Sequence, residues 1–104
     1  MNSSDDQPKC GSIEASLQII GDKWSGLIIR NLTAGPQRFT ALEQSLGIGP
    51  RTLSQRLDDL QTAGVISKKQ FAEAPPRVEY SLTKKGEDLL PILQSMASWC
   101  TKYS

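Results

Sequence analysis

The sequence predicts a mainly α-helical domain that carries one small β-hairpin. Apolar residues recur at intervals of three and four over most of the chain, which is the period of helices with one buried face. After residue 64 the period changes to two, in short runs on either side of Ala74-Pro75-Pro76, which is typical of two strands and a turn. A length of 104 residues fits one domain and leaves no room for a second.

Composition excludes several classes of protein. The chain is 38% hydrophobic and 22% charged, and no run approaches the roughly 18 apolar residues of a membrane span. Because histidine is absent, Ser-His-Asp and Cys-His catalysis and histidine-containing metal sites are excluded. Cys10 and Cys100 form no CxxC pair, and no glycine-rich phosphate-binding loop occurs. We therefore expect no enzymatic activity, no metal and no cofactor.

The N-terminal residues 1–9 are polar and acidic. We expect them to form a disordered leader, without an apolar signal segment, ahead of a domain that spans residues 10–104. This arrangement predicts a cytoplasmic protein that does not bind a membrane.

Three helices are predicted in the first half of the domain. Ser12 and Asp22 are expected to cap the first two, because short polar side chains accept hydrogen bonds from the free N–H groups of a helix N-terminus. Gly21 is predicted to end the first helix in the left-handed conformation. Arg38-Phe39 is expected to form a very short strand, and Thr40 to Glu43 has the form of a capping box for the third helix.

A tight turn, Gly47-Ile48-Gly49, is predicted to join the third helix to a fourth. Pro50 suits the first position of the fourth helix, because its missing N–H is not needed there. The inward face of this helix is expected to consist of Leu53, Leu57 and Leu60. Two helices joined in this way are typical of a helix-turn-helix unit.

The hairpin, formed by residues 65–71 and 78–82, is expected to be the wing of a winged helix. Thr83 is predicted to cap a final helix that runs through Tyr103, in which Pro91 bends the helix or delays its regular start. A helix pair alone would be a weak indication. The complete order of helix, turn, capped helix, hairpin and long helix predicts a winged helix-turn-helix much more strongly.

The outer face of the fourth helix is expected to bind DNA. Its first two turns carry the polar and basic residues Arg51, Thr52, Ser54, Gln55 and Arg56. Arginine can bond bidentately to guanine and glutamine to adenine, whereas hydroxyl groups bond to bases or phosphates. Asp58 and Asp59 follow further along, away from phosphate, and Arg38 and Thr40 complete this predicted surface. The alternative is that the face is merely solvated.

Positive charge is concentrated in residues 51–85, which hold seven basic and four acidic side chains, although the net charge of the chain is only +1. In the wing, we expect Lys68, Lys69 and Arg77 to contact the DNA backbone or the minor groove. The alternative for Arg77 is an ion pair with Glu73 or Glu79 inside the hairpin.

The last helix has more apolar surface than its own domain can cover. Its heptad-like seam consists of Leu89, Leu93, Met96, Cys100 and Tyr103. Further apolar residues lie outside that seam, namely Leu90, Ile92, Ala97 and Trp99. Because each buried CH₂ group gains about 0.8 kcal/mol, we predict a homodimer through this helix, assisted by Ile13 and Leu17 of the first helix. The alternative is one broad stripe on the domain's own core.

Four segments resemble the HxlR-type family of winged helix-turn-helix transcription regulators. They are residues 20–24 (IGDKW), 35–39 (GPQRF), 53–57 (LSQRL) and 75–83 (PPRVEYSLT), of which the last is highly specific. The resemblance covers about residues 10–100. It implies a bacterial or archaeal dimer that binds operator DNA, and related regulators often respond to oxidants, quinones or other electrophiles.

The resemblance also implies a role for Cys10. In many members a Cys-Pro pair precedes the first helix, and in some that cysteine is the redox sensor, whereas here Gly11 follows. Lys9 and the helix N-terminus favour a thiolate at Cys10, and Glu14 opposes it. Cys100 is expected to be either a small buried hydrophobe or a disulfide partner of Cys10, within or between chains.

These observations together predict a dimeric, sequence-specific DNA-binding transcriptional regulator. It is expected to act as a repressor on a pseudo-palindromic operator whose half-sites lie one helical turn or a multiple apart. An oxidant, an electrophile or another small ligand would change how the two DNA-binding fourth helices of the dimer, here called the reading helices, are placed relative to each other. A winged helix that binds only proteins is the alternative. A small thiol-based redox enzyme is a third reading, which the lack of a base near either cysteine disfavours.

Overall fold

The structure is a computed structural model that describes residues 11–104, so the predictions for the leader and for Cys10 lie outside the described residues. Within this range six α-helices and two strands follow in the order α1 (Ile13–Ile20), α2 (Lys23–Asn31), α3 (Phe39–Leu46), α4 (Pro50–Thr62), β1 (Ile66–Phe71), β2 (Arg77–Leu82), α5 (Lys84–Glu87) and α6 (Leu90–Lys102). The two strands form an antiparallel hairpin. The predicted fold class, mainly helical with a small wing, is confirmed.

Side-chain caps begin α1 and α2 at the predicted residues. The hydroxyl of Ser12 accepts a hydrogen bond from the backbone N–H of Ala15 at 3.1 Å. One carboxylate oxygen of Asp22 accepts from the N–H groups of Trp24 and Ser25, at 2.9 and 3.2 Å. These bonds satisfy donors that a helix N-terminus leaves free.

The prediction for Gly21 is wrong in conformation, although glycine is still required there. Its φ of −77° is right-handed, not left-handed. A Cβ at this position would overlap the carbonyl oxygen of Leu17, which also accepts the Gly21 N–H bond at 2.8 Å. Close packing of the backbone, and not a positive φ, therefore excludes a side chain.

The predictions for the start of the third helix are also wrong. Arg38-Phe39 forms no strand, because α3 already begins at Phe39 with Arg38 as its N-cap. Thr40 is the second residue of the helix and caps nothing, so the capping box is absent. The strand-like pairing lies one residue earlier, where Gln37 and Tyr80 exchange two backbone hydrogen bonds of 2.9 and 2.8 Å. This bridge holds the loop before α3 against the wing.

The core lies between α2, α3, α4 and the base of the hairpin. The buried apolar side chains are Ile28, Ile29, Leu32, Leu42, Ile48, Leu53, Leu57, Leu60, Val65, Ile66 and Tyr80. The three leucines predicted for the inner face of α4 are at most 1% exposed, which confirms the orientation of that helix. Burying each such side chain stabilises the fold by about 1.5–3 kcal/mol, so rotation of α4 about its axis is strongly opposed.

The end of α4 is tied to the segment that follows the hairpin. Gly64 has a φ of +77°, which lets the chain turn directly into β1. The hydroxyl of Thr83 donates to the carbonyl groups of Gly64 and Val65, at 2.6 and 3.0 Å, and accepts from the N–H of Gly86 at 3.1 Å. The ammonium of Lys85 donates to the carbonyl of Ala63 at 2.6 Å.

The predicted final helix is interrupted. Thr83 caps the short α5, and the long helix α6 begins only at Leu90 with Pro91 in its first turn, which confirms that proline delays the regular start. Helix α6 packs against α2, with Leu90 and Leu93 partly buried against the core. No residue of α6 is fully buried.

Candidate nucleic-acid interface

The first two turns of α4 present a polar outer face opposite the buried leucines. Arg51, Thr52, Ser54 and Gln55 are all exposed, as expected. In residues 11–104, Arg51 has no ion-pair partner, whereas the amide of Gln55 donates to the carboxylate of Asp59 at 3.0 Å. Because the helix begins at Pro50, directly after the turn at residues 47–49, these residues lie at its N-terminal end.

Arg56 differs from the other four predicted reading residues. Its guanidinium lies 3.9 Å from the carboxylate of Asp22 and 3.5 Å from that of Asp59, and its side chain is only 28% exposed. Its Nε atom is buried. Arg56 is therefore directed along α4 towards the N-terminus of α2. The sequence predicted Asp22 only as a helix cap. Its ion pair with Arg56 could not be predicted, because the two residues are 34 positions apart and no local pattern connects them.

The start of α3 places Arg38 and Thr40 at the surface, both exposed. The Gln37–Tyr80 bridge fixes the loop that precedes them. Tyr80 itself is 8% exposed, and its burial, followed by the negative charge of Asp58, raises the pKa of its phenol above the ordinary value of 10.0.

Arg77 forms the ion pairs that the sequence offered as the alternative to DNA contact. Its guanidinium lies 3.3 Å from Glu73 and 3.4 Å from Glu79. It also lies 4.1 Å from the ring centroid of Phe71, its cross-strand neighbour. These contacts join the tip and both strands of the hairpin, so they stiffen the wing.

The two lysines of the wing are exposed on opposite faces of the hairpin. Lys68 lies opposite Tyr80 and Lys69 opposite Glu79, and successive strand residues alternate between faces. The ammonium of Lys69 lies 5.0 Å from the ring centroid of Phe71, on the face that also carries Arg77.

Only part of the predicted dimer seam is exposed. Leu89 and Leu93 pack against the domain's own core, because α6 lies on α2 along this side. The remaining predicted interface residues are exposed, namely Ile13, Leu17, Met96, Trp99, Cys100 and Tyr103. Ile92, which the heptad pattern left outside the seam, is also 48% exposed.

Two further features concern alternatives raised by the sequence. In the single chain Cys100 is a free, exposed thiol, and both its burial at a dimer seam and its pairing with Cys10 stay predictions. Within residues 11–104, no helix has the length and apolar character needed to cross a bilayer, and no three histidine, cysteine or acidic side chains form a metal-binding group.

Comparison with known proteins identifies the fold and the family. The family model described as HxlR-like helix-turn-helix matches residues 19–104. The HTH-type transcriptional regulator YkvN of Bacillus subtilis is 40% identical over 96 residues, which cover 91% of this chain and 80% of YkvN.

Two solved structures extend the comparison. The reduced form of the transcriptional regulator YodB from B. subtilis superimposes with a TM-score of 0.83 at 31% identity, covering 92% of this chain and 95% of YodB. The redox regulator HypR in its reduced form gives a TM-score of 0.80 at 33% identity, covering 86% of this chain and 90% of HypR. The chain therefore belongs to the HxlR-like helix-turn-helix family of transcriptional regulators.

Proposed function

We propose that this protein is a sequence-specific DNA-binding repressor that places the N-terminal half of α4 in the major groove. One observation carries the proposal. The exposed Arg51, Thr52, Ser54 and Gln55 lie at the N-terminal end of a helix whose opposite face is fixed in the core. Arg51 is assigned to a guanine and Gln55 to an adenine, because these side chains match the acceptor and donor patterns of those bases. Gln55 would exchange its exposed hydrogen bond to Asp59 for the one to the base.

The remaining predicted contacts take other roles. Lys68, Lys69, Arg38 and Thr40 are exposed and are assigned to phosphate groups. Arg56 and Arg77 are assigned mainly to positioning, Arg56 for the reading helix and Arg77 for the wing, because both guanidinium groups already have carboxylate partners. Their charge still contributes to the potential that attracts DNA.

The regulator is proposed to act as a homodimer on a pseudo-palindromic operator. Large apolar side chains of α1 and α6 are exposed, with Ile13 at 76% and Trp99 at 69%. A second copy would remove this surface from water and place two reading helices on one duplex. Binding at an operator that overlaps a promoter would exclude the polymerase, which is the basis for assigning repression.

A thiol is proposed to control this binding. The relatives YodB and HypR have been solved in forms named as reduced or oxidised, and Cys10 precedes α1 in the sequence. Oxidants or electrophiles would modify the Cys10 thiolate and alter the placement of α1, which carries part of the proposed dimer surface. The exposed Cys100 is the candidate resolving thiol for a disulfide.

Selection of bound sequences from random duplex DNA, followed by fluorescence anisotropy on the selected site, tests the proposal. Arg51→Ala should weaken specific binding by about 5- to 150-fold, corresponding to about 1–3 kcal/mol, and should relax preference at one base pair. Lys84→Ala is the matched control, because it also removes one exposed positive charge but lies beyond the C-terminal end of α4. Failure to select any sequence, or equal affinity of wild type and Arg51→Ala, would contradict the proposal.

A further inference from the structure

A groove of about 820 Å³ lies between α2 and α6. Its floor is apolar and includes Leu27, Leu90, Leu93 and Ala97. The two helices are close at Gly26, where an added Cβ would lie at an ordinary contact distance of 3.7 Å from the Leu93 side chain. A volume of this size is within the range of pockets that hold small organic molecules.

The groove lies on a different side of α6 from the proposed dimer surface. At 100° per residue, Leu90, Leu93 and Ala97 fall on one side of the helix. Ile92 and Trp99 fall on the other side, where they border a second, separate depression. Met96 lies between the two sides and borders both. The groove and the outer side of α6 are therefore distinct surfaces that share Met96.

The charged residues at the rim of the groove favour an anion. The guanidinium of the exposed Arg30 has no ion-pair or cation–π partner within residues 11–104. Lys23 also lines the rim, with its ammonium 4.7 Å from the ring centroid of Trp24. The carboxylate of Asp22 is at the rim too, but it is already engaged by two backbone N–H groups and Arg56.

We propose that this groove binds an amphiphilic organic anion, with an apolar aromatic or aliphatic body on the floor and a carboxylate or sulfonate on Arg30. Arginine matches such groups through paired hydrogen bonds, and the floor supplies the apolar contact. No covalent step is involved, so this site is distinct from the proposed thiol chemistry at Cys10.

The groove is also linked to the reading helix. Asp22 lines it and is joined to Arg56 of α4 through their ion pair. A ligand that shifts the start of α2 would therefore change the position of α4, and with it the affinity for DNA. This consequence rests on the proposed function, whereas ligand binding itself does not.

The test uses the full-length protein and 1-anilinonaphthalene-8-sulfonate, a fluorescent amphiphilic anion. Saturable binding should be displaced by naphthalene-2-carboxylate and not by the neutral naphthalene-2-carboxamide. Arg30→Ala should weaken binding about tenfold, since it removes a charged hydrogen-bond donor. Ala97→Phe should fill the groove and abolish displaceable binding. Lys84→Ala, which removes a charge elsewhere, should bind as wild type does.

Several results would overturn the assignment. Equal displacement by the acid and the amide would show that charge has no role. Unchanged probe binding in both groove variants would place the probe on another apolar surface. If Arg30→Ala instead converts a dimer to a monomer in sedimentation experiments, the groove is covered by a second copy. A wild-type protein that binds the anion but no DNA would retain the ligand site and contradict only the proposed function.

Discussion

The carboxylate of Asp22 and the guanidinium of Arg56 lie 3.9 Å apart and join the start of α2 to the middle of α4. The same carboxylate caps α2 through its second oxygen. One side chain therefore fixes both the turn between α1 and α2 and the orientation of α4 relative to them.

Replacement of Asp22 separates these two roles. Asp22→Ala should lower the free energy of unfolding by about 1–2 kcal/mol, because it removes a helix cap. Asp22→Asn keeps a capping oxygen and should cost less than about 1 kcal/mol, since partly exposed ion pairs contribute little. Urea denaturation measures both values. Equal losses in the two variants would show that the ion pair, and not the cap, dominates.

Two glycine substitutions should change stability in opposite directions. Gly26→Ala should stabilise the protein by about 0.5–1 kcal/mol, because Gly26 lies inside α2 and the added Cβ meets Leu93 at an ordinary contact distance. Gly86→Ala should destabilise it by about 1–3 kcal/mol, because its Cβ would overlap the carbonyl oxygen of Val65. Midpoints of thermal and urea unfolding give the signs, and a loss of stability in Gly26→Ala would show that α2 and α6 pack more closely than described.

Stability should fall at alkaline pH through Tyr80. Burial raises the pKa of its phenol in the folded protein, so the folded state holds this proton more tightly than the unfolded state does. The contribution is therefore complete below the ordinary pKa of 10.0 and is lost as the pH rises through the folded value. Tyr80→Phe should flatten the decline seen in urea denaturation above pH 10. An identical decline in this variant would assign the effect to other groups.

The outer side of α6 should be the dimer surface. Trp99→Glu should raise the dissociation constant of the dimer at least about 30-fold, because a charge would replace an aromatic side chain in the buried patch. Ser98→Glu is the control, since Ser98 is also exposed on α6 but lies on a different side of the helix. Analytical ultracentrifugation distinguishes the two. A monomeric wild type, or a dimeric Trp99→Glu protein, would exclude this surface.

Cys10 should be required for the response to oxidants. Cys10→Ser should bind DNA normally and should keep binding after treatment with diamide or hydrogen peroxide, whereas the wild type should be released. Loss of the response in Cys100→Ser as well would indicate a disulfide between the two positions, and its retention would indicate modification of Cys10 alone. Release of the Cys10→Ser protein by oxidant would exclude the sensing role.

Local patterns predicted the elements that depend on neighbouring residues. The leucines of α4, the caps at Ser12, Asp22 and Thr83, and the delay at Pro91 each follow from periods or hydrogen bonds within a few residues. These features therefore needed no knowledge of the tertiary fold. The comparisons with relatives then confirmed the family that four short segments indicated.

Local patterns could not predict contacts between segments that are distant in the sequence. The Gln37–Tyr80 bridge joins residues far apart in the sequence, and it displaced the predicted strand at Arg38 by one position. The side of α6 that faces the groove could be recognised only from the packing of α6 on α2. Because of this packing, Leu89 and Leu93 contact the domain's own core and are not exposed at the predicted seam. The sequence left two possibilities for Arg77, contact with DNA or an ion pair inside the hairpin. The fold shows the internal contacts, since Arg77 pairs with both Glu73 and Glu79 and lies over the ring of Phe71.

The bonds from Thr83 and Lys85 back to residues 63–65 close the hairpin at its base against the end of α4. These bonds make α4 and the hairpin one rigid unit within the domain. In the proposed dimer, an inducer would therefore change the distance between the two such units and leave each unit intact.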